Sequence, residues 1–210
     1  MARASGRGRF ITLEGMDGAG KSTHQPWIAQ LLRAPGREIV QTREPGGTPL
    51  AEKLRHLVLA DPMEPFSETL LMFAARAEHV AKLIAPALER GAWVLCDRFS
   101  DSTLAYQAGG KGVPRELVTR LAEQAHPGLH PDRTLVFDCS FDVSRARLGS
   151  AGRALDRFER EERAFFERVR AVYREMAAAE PARMRLIDGG REAGEVRAMI
   201  RAGLAGLEDG

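Results

Sequence analysis

Asparagine is absent from all 210 residues of this chain, lysine occurs four times against 27 arginines, and cysteine occurs only twice. Without asparagine, the N-K-x-D signature by which GTP-binding switches read guanine cannot be written. Cys96 and Cys139 each lie in an apolar run that reads as a buried strand, with no C-x-x-C spacing and no clustered histidines. That argues against a zinc site and a disulfide framework and predicts core thiols in a reducing compartment. The basic segment Met1–Arg9 is not followed by an apolar stretch long enough for a signal peptide, and no run approaches a membrane span. The sequence therefore predicts a cytoplasmic protein without a membrane partner. A formal net charge of +2 gives no overall field pointing to nucleic acid. The scarcity of lysine leaves arginine, a planar and permanently charged fork suited to phosphate, to supply nearly all the positive charge.

What is present suffices for one buried core. The chain is 44% hydrophobic, and its length suits a single domain, read here as 9–208 behind a flexible 1–8 segment. Short apolar runs predict strands at Phe10–Glu14, Glu38–Thr42, Trp93–Asp97, Thr134–Asp138 and Met184–Ile187. Helical periodicity predicts helices over Leu50–Leu59, Phe66–Arg90, Pro114–Ala125, Phe158–Ala179 and Glu192–Leu207. That alternation implies an α/β fold of three layers, a five-stranded parallel sheet flanked by helices. Ligands collect beyond the carboxyl ends of such strands, so Glu14–Ser22, Arg43–Gly47 and Asp97–Gln107 should meet in one cleft.

The first strand candidate runs straight into Gly15-Met16-Asp17-Gly18-Ala19-Gly20-Lys21-Ser22, a match to G-x-x-x-x-G-K-[ST], and then into a helix carrying Ile28, Leu31 and Leu32. This is the order a P-loop NTPase fold demands. Glycines let the backbone wrap phosphate oxygens, and the helix N-terminus faces the anion. Lys21 would reach the β/γ-phosphates and Ser22 would set its hydroxyl on Mg²⁺, with Thr23 extending the polar start of the helix. Pro26 falls just past the first turn of that helix, where a kink is expected. Pro86 is expected to shorten the helix over Phe66–Arg90. A P-loop alone would also suit a nucleotide-driven switch or motor.

Four blocks narrow the reading: E-G-x-[DE]-G-A-G-K-S at Glu14–Ser22, T-R-E-P-G-G-T at Thr42–Thr48, D-R-[FY]-x-x-S-x-x-A-Y-Q at Asp97–Gln107, and L-D-R-F-E at Leu155–Glu159. In order and separation they resemble the thymidylate kinase family, nucleoside monophosphate kinases acting on dTMP, and they span essentially the whole chain. The resemblance implies ATP as phosphoryl donor, Mg²⁺, dTMP as acceptor and a homodimer. Another nucleoside monophosphate kinase, or a deoxynucleoside kinase, is the alternative.

The resemblance also assigns residues. Arg98 would grip the acceptor phosphate, with Arg43 and Arg55 as further phosphate contacts. Asp97 and Asp17 would serve Mg²⁺ or orient the cations. Phe73 and Arg76, three apart on one helix face, would stack on thymine and donate to its carbonyl edge, with Met72 the alternative to Phe73. Ser102, Thr103 and Gln107 would meet the pyrimidine edge, and Tyr106 would leave no room for a 2′-hydroxyl. The arginine- and glycine-rich stretch at about 145–157 reads as a mobile lid. Because Gly18 occupies the place where some relatives carry a P-loop arginine, the lid should deliver it, Arg153 first and Arg147 second. The adenine is placed by position beside Asp188–Arg191.

Overall fold

A computed structural model describes residues 7–150 and 156–207 of the chain. Among the described residues five strands form one parallel sheet: β1 (Phe10–Gly15), β2 (Ile39–Arg43), β3 (Trp93–Asp97), β4 (Arg133–Asp138) and β5 (Met184–Asp188). Their spatial order is β2-β3-β1-β4-β5. Each predicted strand lies within one residue of its observed ends. A parallel sheet covered on both faces needs continuous apolar runs, and Phe10, Ile11, Leu13, Val94, Leu95 and Cys96 have no exposure. Thr12 is polar and equally buried, and its hydroxyl lies 2.7 Å from that of the buried Thr134 on β4.

The helices among the described residues are α1 (Lys21–Leu31), α2 (Pro49–Ala60), α3 (Pro65–His79), α4 (Ala85–Glu89), α5 (Ser100–Thr103), α6 (Arg115–Ala125), α7 (Phe141–Ser150), α8 (Arg163–Ala179) and α9 (Ala193–Leu204). Local chemistry accounts for several boundaries. Thr48, the last residue of T-R-E-P-G-G-T, caps α2 by accepting from the Ala51 N–H at 3.3 Å, and Pro49 opens the helix. Along α8, Phe165, Phe166, Val169, Tyr173 and Met176 form the buried stripe.

Four expectations need correction. The predicted helix over Phe66–Arg90 is three pieces, α3, a π-helical segment Val80–Ile84, and α4. In the π segment the Ala85 N–H donates to the Val80 carbonyl five residues back. That wider turn gives room to Pro86, which lacks an N–H and would strike a regular preceding turn, so the proline does not end the helix early. The stretch after β3, for which no helix was expected, holds α5 and a second π-helical segment, Leu104–Gly110. The last long helix begins at Arg163 rather than Phe158, and α7 occupies the first part of the stretch read as a mobile lid. Arg153 lies outside the described residues.

Strand register positions the site. Leu13 pairs with Asp97 and Gly15 with Phe137, so the segments leaving β1 and β3 emerge side by side. Gly15 has φ +118°, and a Cβ there would fall 2.0 Å from the Phe137 carbonyl oxygen. No side chain fits without parting β1 from β4. Gly15→Ala is therefore expected to lower the free energy of unfolding in urea by more than about 2 kcal/mol. A parent-like urea midpoint would contradict this close approach.

Candidate active site

The loop from β1 to α1 turns at Gly18 (φ +76°) and Gly20 (φ +108°), and α1 starts without a side-chain cap. Its first N–H groups are thereby left for an anion. Lys21 is buried, with Nζ donating to the carbonyls of Gly15 at 2.9 Å and Met16 at 3.0 Å. Burial and the Arg98 charge lower its pKa, while Asp17 and Asp97 pull the other way. Ser22 and Thr23 stand exposed at the helix start. From behind, α7 is stitched to the loop: Ser144 Oγ donates to the Asp17 carbonyl at 2.7 Å, and Arg147 donates to Gly18 O at 3.1 Å and Gly189 O at 2.8 Å. Arg147 thus ties the P-loop to the Asp188–Arg191 loop, rather than extending from a mobile lid.

Beside the loop opens a cleft of about 580 Å³, walled by Asp17, Glu44, Arg55, Met72, Arg76, Arg98, Ser102, Thr103, Tyr106, Gln107, Asp156 and Phe158 among others. Arg98 dominates it. Among the described residues it is the one non-glycine residue with positive φ, +71°, a conformation that persists only where its surroundings enforce it. Its N–H is bonded to the Leu13 carbonyl at 2.8 Å, and the next N–H, of Phe99, donates to Glu14 Oε1 at 2.7 Å. The guanidinium reaches Asp17 Oδ1 at 2.7 Å, Tyr106 Oη at 3.1 Å and Ser102 Oγ at 3.2 Å. A cation is therefore aimed into the cleft by the P-loop on one side and the β3 segment on the other.

Arg76 forms the far wall. Its Nε donates to Glu44 Oε2 at 2.7 Å, and its terminal nitrogens donate to Thr103 Oγ1 and the Phe99 carbonyl. Arg55 also lines the cleft, donating to the Pro45 carbonyl at 3.0 Å. Two predicted contacts are elsewhere. Arg43 is exposed at the end of the edge strand β2, paired with Glu52 at 3.0 Å, and is not among the residues lining the cleft. Phe73 packs with Val113 and Val118 in a small core, and Met72, one residue earlier on α3, faces the cleft instead. Gln107 donates to the buried Glu68 at 2.7 Å. Asp97 has one buried carboxylate oxygen, Oδ1, with no hydrogen-bond partner.

Sequence reasoning gave no individual role to Glu14, Glu44, Glu68, Asp156 or Phe158. Glu14 ends an otherwise apolar strand, F-I-T-L-E, and an acid in such a run was the available signal. It is wholly buried, accepting from Ser102 Oγ at 2.5 Å and Tyr173 Oη at 2.7 Å on its second oxygen. Burial, reinforced by Asp101, raises its pKa to about 7 against the opposing pull of Ser102, Arg98 and Tyr173. A carboxyl whose folded pKa lies above its unfolded value favours the folded state at low pH, and that advantage fades as pH rises towards 7. Relative to Glu14→Gln, the parent should therefore lose about 2 to 3 kcal/mol of unfolding free energy between pH 5 and pH 8. Parallel stability curves for the two proteins would show that Glu14 ionises normally.

Comparison with known proteins agrees with this geometry. A family model described as thymidylate kinase matches residues 13–200. The thymidylate kinase of Bordetella pertussis is 58% identical over 194 residues, 92% of this chain and 93% of that protein. That of Methylobacillus flagellatus is 58% identical over 191 residues, covering 91% and 94%. The crystal structure of thymidylate kinase from Ehrlichia chaffeensis superposes with a TM-score of 0.76 at 32% identity, over 93% of this chain and 98% of that one. This chain belongs to the thymidylate kinase family, whose members are ATP-dependent phosphotransferases.

Proposed function

We propose that the chain transfers the γ-phosphoryl group of ATP to the phosphate of dTMP, giving dTDP and ADP on the way to dTTP. The observation that carries this reading is Arg98, held between the P-loop residue Asp17 and Tyr106 in a cleft next to Lys21. The second pKa of a phosphate monoester is near 6, so the acceptor is already largely dianionic at neutral pH and needs no strong base. What it needs is in-line positioning and cations between two anions. A deoxynucleoside acceptor would instead need a carboxylate free to take a sugar proton. Of the carboxylates lining the cleft, Glu44 has both oxygens bonded, to Arg76 and His79, Asp17 is paired with Arg98, and Asp156 accepts the N–H groups of Phe158 and Glu159.

In this reading Gly15–Gly20 wrap the ATP phosphates, Lys21 spans the β/γ position, and Ser22 and Thr23 complete the loop. Arg98 grips the dTMP phosphate with Arg55 beside it. Met72 lies against the pyrimidine, Arg76 donates to its carbonyl edge, Ser102, Thr103 and Gln107 shape the pocket, and Tyr106 fills the space a 2′-hydroxyl would take. The unbonded buried oxygen of Asp97 and the exposed Ser22 hydroxyl suit Mg²⁺, which keeps most of its waters and takes one or two protein ligands beside substrate phosphates. Bound there, the ion would spread the charge on the bridging phosphate oxygens.

The arginine for the transferring phosphoryl group comes from the stretch of sequence between α7 and α8. Gly18 cannot carry one, since its φ is +76° and a Cβ would lie 2.7 Å from the Ser144 carbonyl oxygen. Arg153 takes that role, and Arg147, fixed between Gly18 and Gly189, belongs beside the adenine. Residues 9–208 act as one kinase domain. The exposed Leu50 and Leu57 of α2 with Phe66 and Leu70 of α3 give a homodimer its apolar face. Free, buried Cys96 and Cys139 suit a cytoplasmic setting.

A coupled assay with ATP and magnesium across dTMP, dUMP, dCMP, dGMP and thymidine is expected to favour dTMP, and Lys21→Ala to abolish nearly all turnover. Turnover of thymidine alone, or of dUMP without dTMP, would overturn the acceptor assignment. Arg153→Ala should lower kcat by roughly 10³-fold while calorimetric dTMP affinity holds. An unchanged kcat would return the role to Arg147.

A further inference from the structure

One turn beyond Arg76 on α3 sits His79, a histidine with no exposed surface that does not line the cleft. Its Nδ1 is 3.0 Å from Glu44 Oε1. A carboxylate only accepts, so Nδ1 carries a proton and donates it to Glu44. Its Nε2 lies 2.7 Å from Thr42 Oγ1 on β2. Glu44 in turn takes the Nε–H of Arg76 on its other oxygen. Thr42, His79, Glu44 and Arg76 therefore form one continuous, buried hydrogen-bonded chain from the second strand to the cleft wall.

The T-R-E-P-G-G block is shaped around this chain. Gly47 has φ +84°, and a Cβ there would lie 2.4 Å from His79 Nε2 and 2.6 Å from Thr42 Oγ1. The second glycine of the block is the space the imidazole occupies. Glu44 is held ionised at the same time: burial would raise its pKa, but Arg76 and His79 more than offset that and lower it.

Arg76 has five N–H donors in a rigid plane. The bonds to Glu44, to Thr103 from both terminal nitrogens, and to the Phe99 carbonyl use four of them. One Nη1 hydrogen is left for the cleft. We propose that His79 is a positioning residue for acceptor-base selection: acting through Glu44, it fixes the Arg76 plane so that this single N–H meets a carbonyl oxygen of the pyrimidine. This rests on the dTMP reading above. Arginine offers no acceptor, so a base carrying an amino group at that edge would set donor against donor and be refused.

Two substitutions separate this role from plain core packing. In His79→Asn the side-chain amide nitrogen falls near the position of Nδ1 and keeps the donor to Glu44. In His79→Gln it falls near Nε2 and abandons Glu44. His79→Gln is expected to raise KM for dTMP roughly tenfold and to narrow the dTMP to dCMP preference by a similar factor, with kcat and the KM for ATP within about twofold of the parent. His79→Asn is expected to stay within about twofold of the parent in all four. If His79→Gln does not accumulate as folded protein, Thr42→Val frees the far end of the chain. It should then raise KM for dTMP and narrow the same preference while leaving kcat in place. Equal behaviour of the Asn and Gln variants, or a loss of kcat with unchanged KM and unchanged preference, would overturn the assignment. For Thr42→Val, an unmoved KM and preference would do the same. A parent that does not phosphorylate dTMP would instead sink the acceptor reading itself.

Discussion

The ion pair between Arg98 and Asp17 bridges the two segments that leave neighbouring strands β1 and β3, and the rest of the site is arranged about it. Its geometry follows from the sheet. Because β1 and β3 run parallel and in register, with Leu13 opposite Asp97, both segments leave at the same edge. The Arg98 backbone then takes a conformation that L-residues avoid, held by the Arg98 N–H donating to the Leu13 carbonyl and the Phe99 N–H donating to Glu14. A strained residue enforced from two sides is what an anion grip requires, since the cation need not reorganise when its ligand arrives.

Carboxylates fix the positions of the cations in and around the cleft. Arg76 is backed by Glu44, and Glu68 takes Gln107, Lys111 and Arg157. Lys21 donates to two backbone carbonyls and lies 3.7 Å from Asp17, with Asp97 also acting on its charge. Two clustered phosphates would supply further counter-charge. The same economy explains α7, whose Ser144 and Arg147 brace the loop from outside and leave its inner N–H groups clear.

Much of this was legible in the residues. Apolar runs bounded by glycine and polar residues marked the five strands, and the P-loop spacing marked the tight turn from β1 into α1. Periodicity failed where polar groups are buried for a purpose. On α3, Glu68, Arg76 and His79 are buried beside Phe73, so the apolar stripe does not reveal which side faces ligand, and Met72 rather than Phe73 turns to the cleft. Both π-helical segments were illegible as well, because an extra residue in a turn leaves no residue-type signature of its own. Arg43 shows the reverse failure: a basic residue in a specific motif need not point where its neighbours do, since side chains alternate along a strand.

The central claim is that Arg98 reads the acceptor's phosphate while the surrounding pocket reads its nucleoside. Calorimetric titration of Arg98→Met with dTMP and with thymidine tests this most directly. The account predicts that dTMP affinity falls about 100-fold while thymidine affinity changes less than about threefold. Equal loss for both ligands, or no loss for dTMP, would contradict it.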